Sequence, residues 1–159
     1  MKTNIYRLCL LLIVLNLSLT SCNKDDDNVP SKPETATATV KYSIGDRYEL
    51  SKLVDIKVYY TNNEGKEVNE VITTPTWEKT LTKAPVPGIY QMKVTYVRND
   101  KPLEQENYTL GTGLTLSVVT SNGNIESIGK TGSAIISKSQ IEKYLQKLTE
   151  EKVSIEITK

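Results

Sequence analysis

No histidine occurs among the 159 residues. Its absence excludes imidazole acid–base work, a Ser-His-Asp arrangement and any His/Cys zinc site. Carboxylate-only chemistry or a calcium ion remains open in principle. Cysteine is almost as scarce, with only Cys9 and Cys22. Beyond residue 22 there is neither a thiol nor a disulfide, so stability there has to come from packing. Basic residues form no cluster and the formal net charge is +1, which gives no field to gather nucleic acid. No motif calls for a cofactor or a metal. Gly129-Lys130-Thr131 has a superficial phosphate-loop look but lacks the upstream glycine at the required spacing, and it reads as a turn. The longest apolar run, Leu8 to Leu15, is too short for a spanning helix and is followed by Asn16, Ser18, Thr20 and Ser21.

What is present begins with that run. Lys2 and Arg7 precede it, and Leu19-Thr20-Ser21-Cys22 closes it. Basic region, apolar stretch and small-residue end are the layout of an export signal. The last four residues resemble the lipobox of bacterial lipoproteins. That resemblance implies cleavage before Cys22 and acylation of Cys22 on sulfur and amine. Several acyl chains hold a protein in a membrane durably where one does not. Loss of residues 1–21 leaves 138 residues, and losing Lys2 and Arg7 takes the net charge from +1 to −1.

Asn23-Lys24-Asp25-Asp26-Asp27-Asn28 is a solvated, mostly acidic run that has nothing to pack. Lys24, Asp25 and Asp26, placed just behind Cys22, resemble the surface-export signal of Bacteroidetes lipoproteins. The implied location is the outer membrane with the protein facing the medium; the periplasmic face is the alternative. With Pro30 and Pro33, residues 22–34 read as an acylated linker and residues 35–159 as one domain.

Within that domain period-two alternation dominates. Thr35 to Ile44, Val54 to Tyr60, Val68 to Thr73, Trp77 to Leu81, Tyr90 to Tyr96 and Lys152 to Thr158 read as strands. Tyr48 to Leu53 is ambiguous between strand and loop. Asn62-Asn63-Glu64-Gly65 and Asn122-Gly123 read as hairpin turns, with Gly65 at a positive φ. Ala84 to Gly88 reads as a stiff turn. Gly111 and Gly113 suggest a bulge or bend after Tyr108 and Leu110, and Ile125 to Ile128 reads as a short return strand. One helix is expected near the end, capped by Ser139 with Glu142, and with Ile141, Tyr144, Leu145 and Leu148 on its apolar stripe. Eight or nine short strands and one late helix predict an immunoglobulin-like antiparallel β-sandwich. An α+β fold with the helix on one antiparallel sheet is the alternative.

Asp55 to Tyr60, Gly65, Thr76-Trp77-Glu78-Lys79-Thr80 and Leu116 to Gly132 also resemble the pattern of MmpS-like proteins. The resemblance spans about residues 50–132 and implies a β-sandwich that serves membrane transport as an accessory module. Pro75-Thr76 stands where that family commonly has Leu-Pro before the tryptophan.

These features point to a non-enzymatic surface lipoprotein that binds an envelope protein or a polysaccharide, with the membrane engaged through Cys22. Loops on a rigid scaffold are the expected site, here Ala84–Gly88 and Asn99–Pro102. Trp77 reads as a core aromatic between two sheets, with a sugar-stacking platform as the alternative; Tyr59 and Tyr108 are the further candidate aromatics if the ligand is a glycan. An accessory transport subunit predicts instead an uncovered edge strand, with residues 35–44 the candidate. A glycosidase would need two carboxylates about 5–9 Å apart in a cleft, and Glu104 and Glu106 read as solvent-facing charges.

Overall fold

The computed structural model describes residues 36–45 and 47–158. The expected signal peptide, Cys22, the Lys24-Asp25-Asp26 signal and the linker lie outside the described residues. Among the described residues eight strands form two four-stranded sheets that pack together, every neighbouring pair antiparallel. They are β1 (Thr37–Ile44), β2 (Val54–Thr61), β3 (Glu67–Ile72), β4 (Trp77–Pro85), β5 (Gly88–Arg98), β6 (Asn107–Thr120), β7 (Ile125–Ser137) and β8 (Glu150–Ile157). One sheet has the order β4-β1-β6-β7 and the other β3-β2-β5-β8.

The alternation read from the sequence is the cause of the core. Val40, Tyr42 and Ile44 of β1 and Val58, Met92 and Val94 of the opposite sheet's strands are buried in one core. Leu110, Leu114, Leu116 and Val118 of β6 complete the same layer. Short α1 (Leu50–Leu53) follows an isolated bridge between Tyr48 and Leu110, and it buries Leu50 and Leu53 where strand or loop was open. Near the C-terminus, α2 (Lys138–Lys147) buries Ile141 and Leu145, with Tyr144 and Leu148 packed partly against the core.

Several local expectations are corrected. β1 is a central strand between β4 and β6, not an uncovered edge. Gly111 and Gly113 do not break β6, whose ladder with β7 holds one register from Asn107↔Ser137 to Val119↔Ile125. The residues from Gly129 to Gly132 lie inside β7 and are no turn; a long partner strand imposed its pairing over the local glycine signal. Ser137, not Ser139, occupies the N-cap position of α2, and no side chain caps it. The bulge in this sheet sits instead on β4, where pairing with β1 shifts between Ala38 and Val40 and Lys83 adopts φ 55°. Gly65 and Gly123 take positive φ in their turns, as the turn chemistry requires.

Candidate functional site

Two clusters of polar residues are internal fastenings. On the β3/β4 side Glu70 accepts from the Tyr60 hydroxyl at 2.6 Å, from Trp77 Nε1 at 3.0 Å and from Lys79 Nζ at 3.1 Å. Tyr60 also packs against the Tyr42 and Trp77 rings, with centroids 5.4 and 5.5 Å away. The Tyr60 hydrogen bond, then those from Trp77 and Lys79, hold the Glu70 carboxyl below its usual range despite some desolvation. Burial and the bond to Glu70 push the Tyr60 phenol up. Trp77 is thus half-buried between the sheet edges with its indole N–H occupied. Its contacts are those of a core aromatic, not of an open platform.

The second fastening is Arg47, fully buried. Nη1 donates to the Tyr96 hydroxyl, which donates in turn to Glu151 Oε2; Nη1 lies 3.4 Å from the same oxygen. Nη2 donates to the Gly113 carbonyl at 3.2 Å, and the guanidinium lies over the Tyr96 ring at 5.3 Å. Burial, outweighing the nearby Arg47 charge, pushes the Tyr96 phenol well above its ordinary value. A lone arginine in a polar loop carries no sequence signal of burial, so this network could not be read beforehand.

The loops at the two ends of the sandwich differ. At one end the Ala84–Gly88 turn is packed: Ala84 and Val86 are buried, and Tyr90 donates to the Pro85 carbonyl. A shallower cavity of about 270 Å³ lies beside it, lined by Thr37, Thr39, Thr82, Lys83, Val119 and Thr120. At the other end the loop after β5 is held rigidly. Arg98 donates to the carbonyls of Leu53, Asn99 and Lys101, Asn99 Nδ2 donates to Lys52 O at 3.2 Å, and Gln105 N donates to the Tyr108 hydroxyl at 2.9 Å. Two cavities open beside it. One of about 350 Å³ is lined by Lys52, Lys101, Pro102, Glu104 and Tyr108. The other, about 470 Å³, is lined by Lys52, Asp55, Val71, Pro75, Asn99 and Lys101.

Lys52 and Lys101 border both cavities, and neither ammonium has an ion-pair partner among the described residues. The result is a double groove with two cations at its waist, Asp55 and Glu104 on its flanks, and amides from Asn99 and Gln105. It is preorganised, because the backbone around it is hydrogen-bonded before any ligand arrives. Such a surface can orient a polar ligand by hydrogen bonds and charge.

Tyr108 is buried beneath the first cavity and is not exposed for stacking. Tyr59 is half-buried on the outer face of the second sheet, with Lys57 and Lys93 at 5.2 and 4.4 Å from its ring centre. Its ring is therefore covered by its own neighbours. The three aromatics singled out from the sequence are dispersed over three places and form no common groove. Glu104 and Glu106 are both exposed, and Glu104 lines a cavity wall. Among the described residues no group of three His, Cys, Asp or Glu is placed to hold a metal ion. No family model matches the chain, and no curated protein matches it.

Proposed function

We propose that this chain is a non-enzymatic lipoprotein, anchored through acylated Cys22 in the outer membrane and facing the medium, whose sandwich binds a polysaccharide or protein partner in the groove around Lys52 and Lys101. The observation that carries the binding reading is the position of the groove. The chain enters the domain at Thr37, beside the Ala84–Gly88 turn, since Thr37 pairs with Pro85. β1 then runs its eight residues, about 26 Å, to the opposite end, where Ile44 pairs with Trp77 and the loop through Arg47 leads to α1. A tether at the N-terminal end leaves the groove at the far end, where a ligand in the medium can reach it.

An immunoglobulin-like arrangement is supported by two interlocked pairings, β1 with β4 and β2 with β5. β6 lies beside β1 where that arrangement would put it beside β5.

The proposal is tested in two steps. Metabolic labelling with palmitate should mark the wild-type protein and not the Cys22→Ser variant. The acylated protein, displayed on cells, is then screened against an array of neutral and acidic polysaccharides. Retention by one class, lost in Lys52→Glu/Lys101→Glu with unchanged thermal unfolding, supports the groove. Equal retention by the variant moves binding elsewhere, and an unlabelled wild-type protein overturns the anchor.

A further inference from the structure

The two sides of the seam between the sheets are closed differently, and Arg47 joins β6 to β5 and β8 on the second side. On the β3/β4 side the Glu70 cluster joins the two edges. On the other side β7 is an edge strand with every residue from Ile125 to Ser133 exposed, and among the described residues β6 is its sole strand partner. Ile125, Ile128 and Ile135 are 70%, 40% and 74% exposed. The C-terminal end of β7 meets α2 and β8, whereas the stretch from Ile125 to Ser133 is bare, and such an exposed edge is a template for another strand.

The ladder fixes which β7 groups are available. On β6, Gly111 N donates to Arg47 O and Gly113 O accepts from Gly45 N, so odd-numbered β6 residues bond toward β1. Thr120 N donates to Asn124 O, so even-numbered ones bond toward β7. By the alternation of antiparallel ladders, Ile125, Ser127, Gly129 and Thr131 of β7 turn their N–H and C=O groups to the open side.

We infer that β7 pairs antiparallel with β7 of a second copy of this chain, about a two-fold axis at Ile128. In that register Ser127 forms a hydrogen-bonded pair with Gly129 of the second copy, and Ile125 does so with Thr131. Ile128 meets Ile128, and Glu126 meets Lys130, twice by symmetry. These last pairs occupy the non-hydrogen-bonded positions, where side chains come closest. The segment is self-complementary in backbone phase, apolar contact and charge at once, which an isologous interface demands. A register shifted by one residue on each strand would place Ile128 against Lys130 or Glu126 and lose the charge pairing. The two copies run antiparallel, so a tethered dimer lies along the surface with one groove open to the medium at each end. Each of them has fourteen residues between Cys22 and Thr37, a reach of up to about 46 Å, so both can be tethered to one surface.

The test uses the full chain carrying Cys9→Ser and Cys22→Ser. Ile128→Cys in that background should form a disulfide-linked dimer on mild oxidation, because opposed Cα atoms at about 4.5 Å suit the bond. Ile125→Cys should not, its symmetry mate lying about 20 Å away. In sedimentation velocity over a concentration series, Glu126→Lys should weaken dimerisation roughly tenfold, and Glu126→Lys/Lys130→Glu should restore it. A parent chain that stays monomeric with no Ile128→Cys cross-link overturns the inference, as does equal cross-linking at both positions. These readouts do not involve the groove ligand or the acyl anchor.

Discussion

Trp77 donates its indole hydrogen to Glu70 across the seam between the sheets, at 3.0 Å, and Glu70 also receives Tyr60 and Lys79. One carboxylate on β3 therefore fastens two residues of β4 and one of β2. Glu70→Ala leaves the Tyr60 hydroxyl and the indole N–H without this partner. The site is partly open to water, which replaces some of what is lost, so the expected cost is about 1 kcal/mol. A lower urea midpoint, with emission of the single tryptophan shifted to longer wavelength, is the expected outcome.

The same carboxyl sets an acid dependence. Its pKa is lowered in the fold, chiefly by the Tyr60 hydrogen bond, so the unfolded chain binds the proton first. The stabilisation is whole above the ordinary carboxylate range and is lost as pH falls below about 4. Urea midpoints of the wild type and Glu70→Gln, compared over pH 7 to about 3, should converge toward the acid end.

At alkaline pH the sign reverses. Burial pushes the phenols of Tyr42, Tyr90 and Tyr96 above their usual value. Keeping them neutral stabilises the fold fully below about pH 10, and this is lost as pH rises through their raised values. Phenolate absorbance should show a group of tyrosines that titrates only together with the loss of far-ultraviolet circular dichroism.

Arg47 and Glu151 offer a contrast between breaking a buried pair and replacing it. Glu151→Ala leaves the guanidinium buried with the Tyr96 hydroxyl and the Gly113 carbonyl as its acceptors, and should cost roughly 3 kcal/mol or more. Arg47→Met/Glu151→Leu removes both charges and should cost distinctly less than Glu151→Ala. Guanidinium unfolding of the variants measures both; a double variant less stable than Glu151→Ala would contradict this account.

Two glycines make a paired test of packing. A Cβ on Gly88 would lie 2.9 Å from the Pro85 carbonyl oxygen and 3.0 Å from the Tyr90 hydroxyl, so backbone has to move. Gly88→Ala should destabilise by about 1–3 kcal/mol. A Cβ on Gly45 meets nothing within 4 Å, and Gly45→Ala should stay within about 0.5 kcal/mol of the wild type by thermal unfolding.

Legibility of the sequence followed the range of the interactions. Alternation in β1, β2, β5 and β8 could be read directly, because a half-buried strand repeats its pattern every two residues. β7 was cut short in that reading, since its glycines and polar residues carry turn signals that only the long β6 ladder overrides. Asn99–Pro102 was legible as a candidate loop from its composition. That Ala84–Gly88 is packed shut and Lys52 stands across from Lys101 was not, because both facts depend on what other strands bring to each end.

The sequence by itself determined the mainly β character, the turns at Gly65 and Gly123, the helix near the C-terminus, and the chemistry that a chain without histidine has to forgo. Each follows from local geometry or from a residue type simply not being there. Tertiary structure alone decided that β1 is central and β7 an open edge, that Arg47 is buried against Tyr96, and that Trp77 is held by Glu70. Sheet order and burial arise from contacts between residues far apart in the chain, and local patterns do not encode which strand comes to lie beside which.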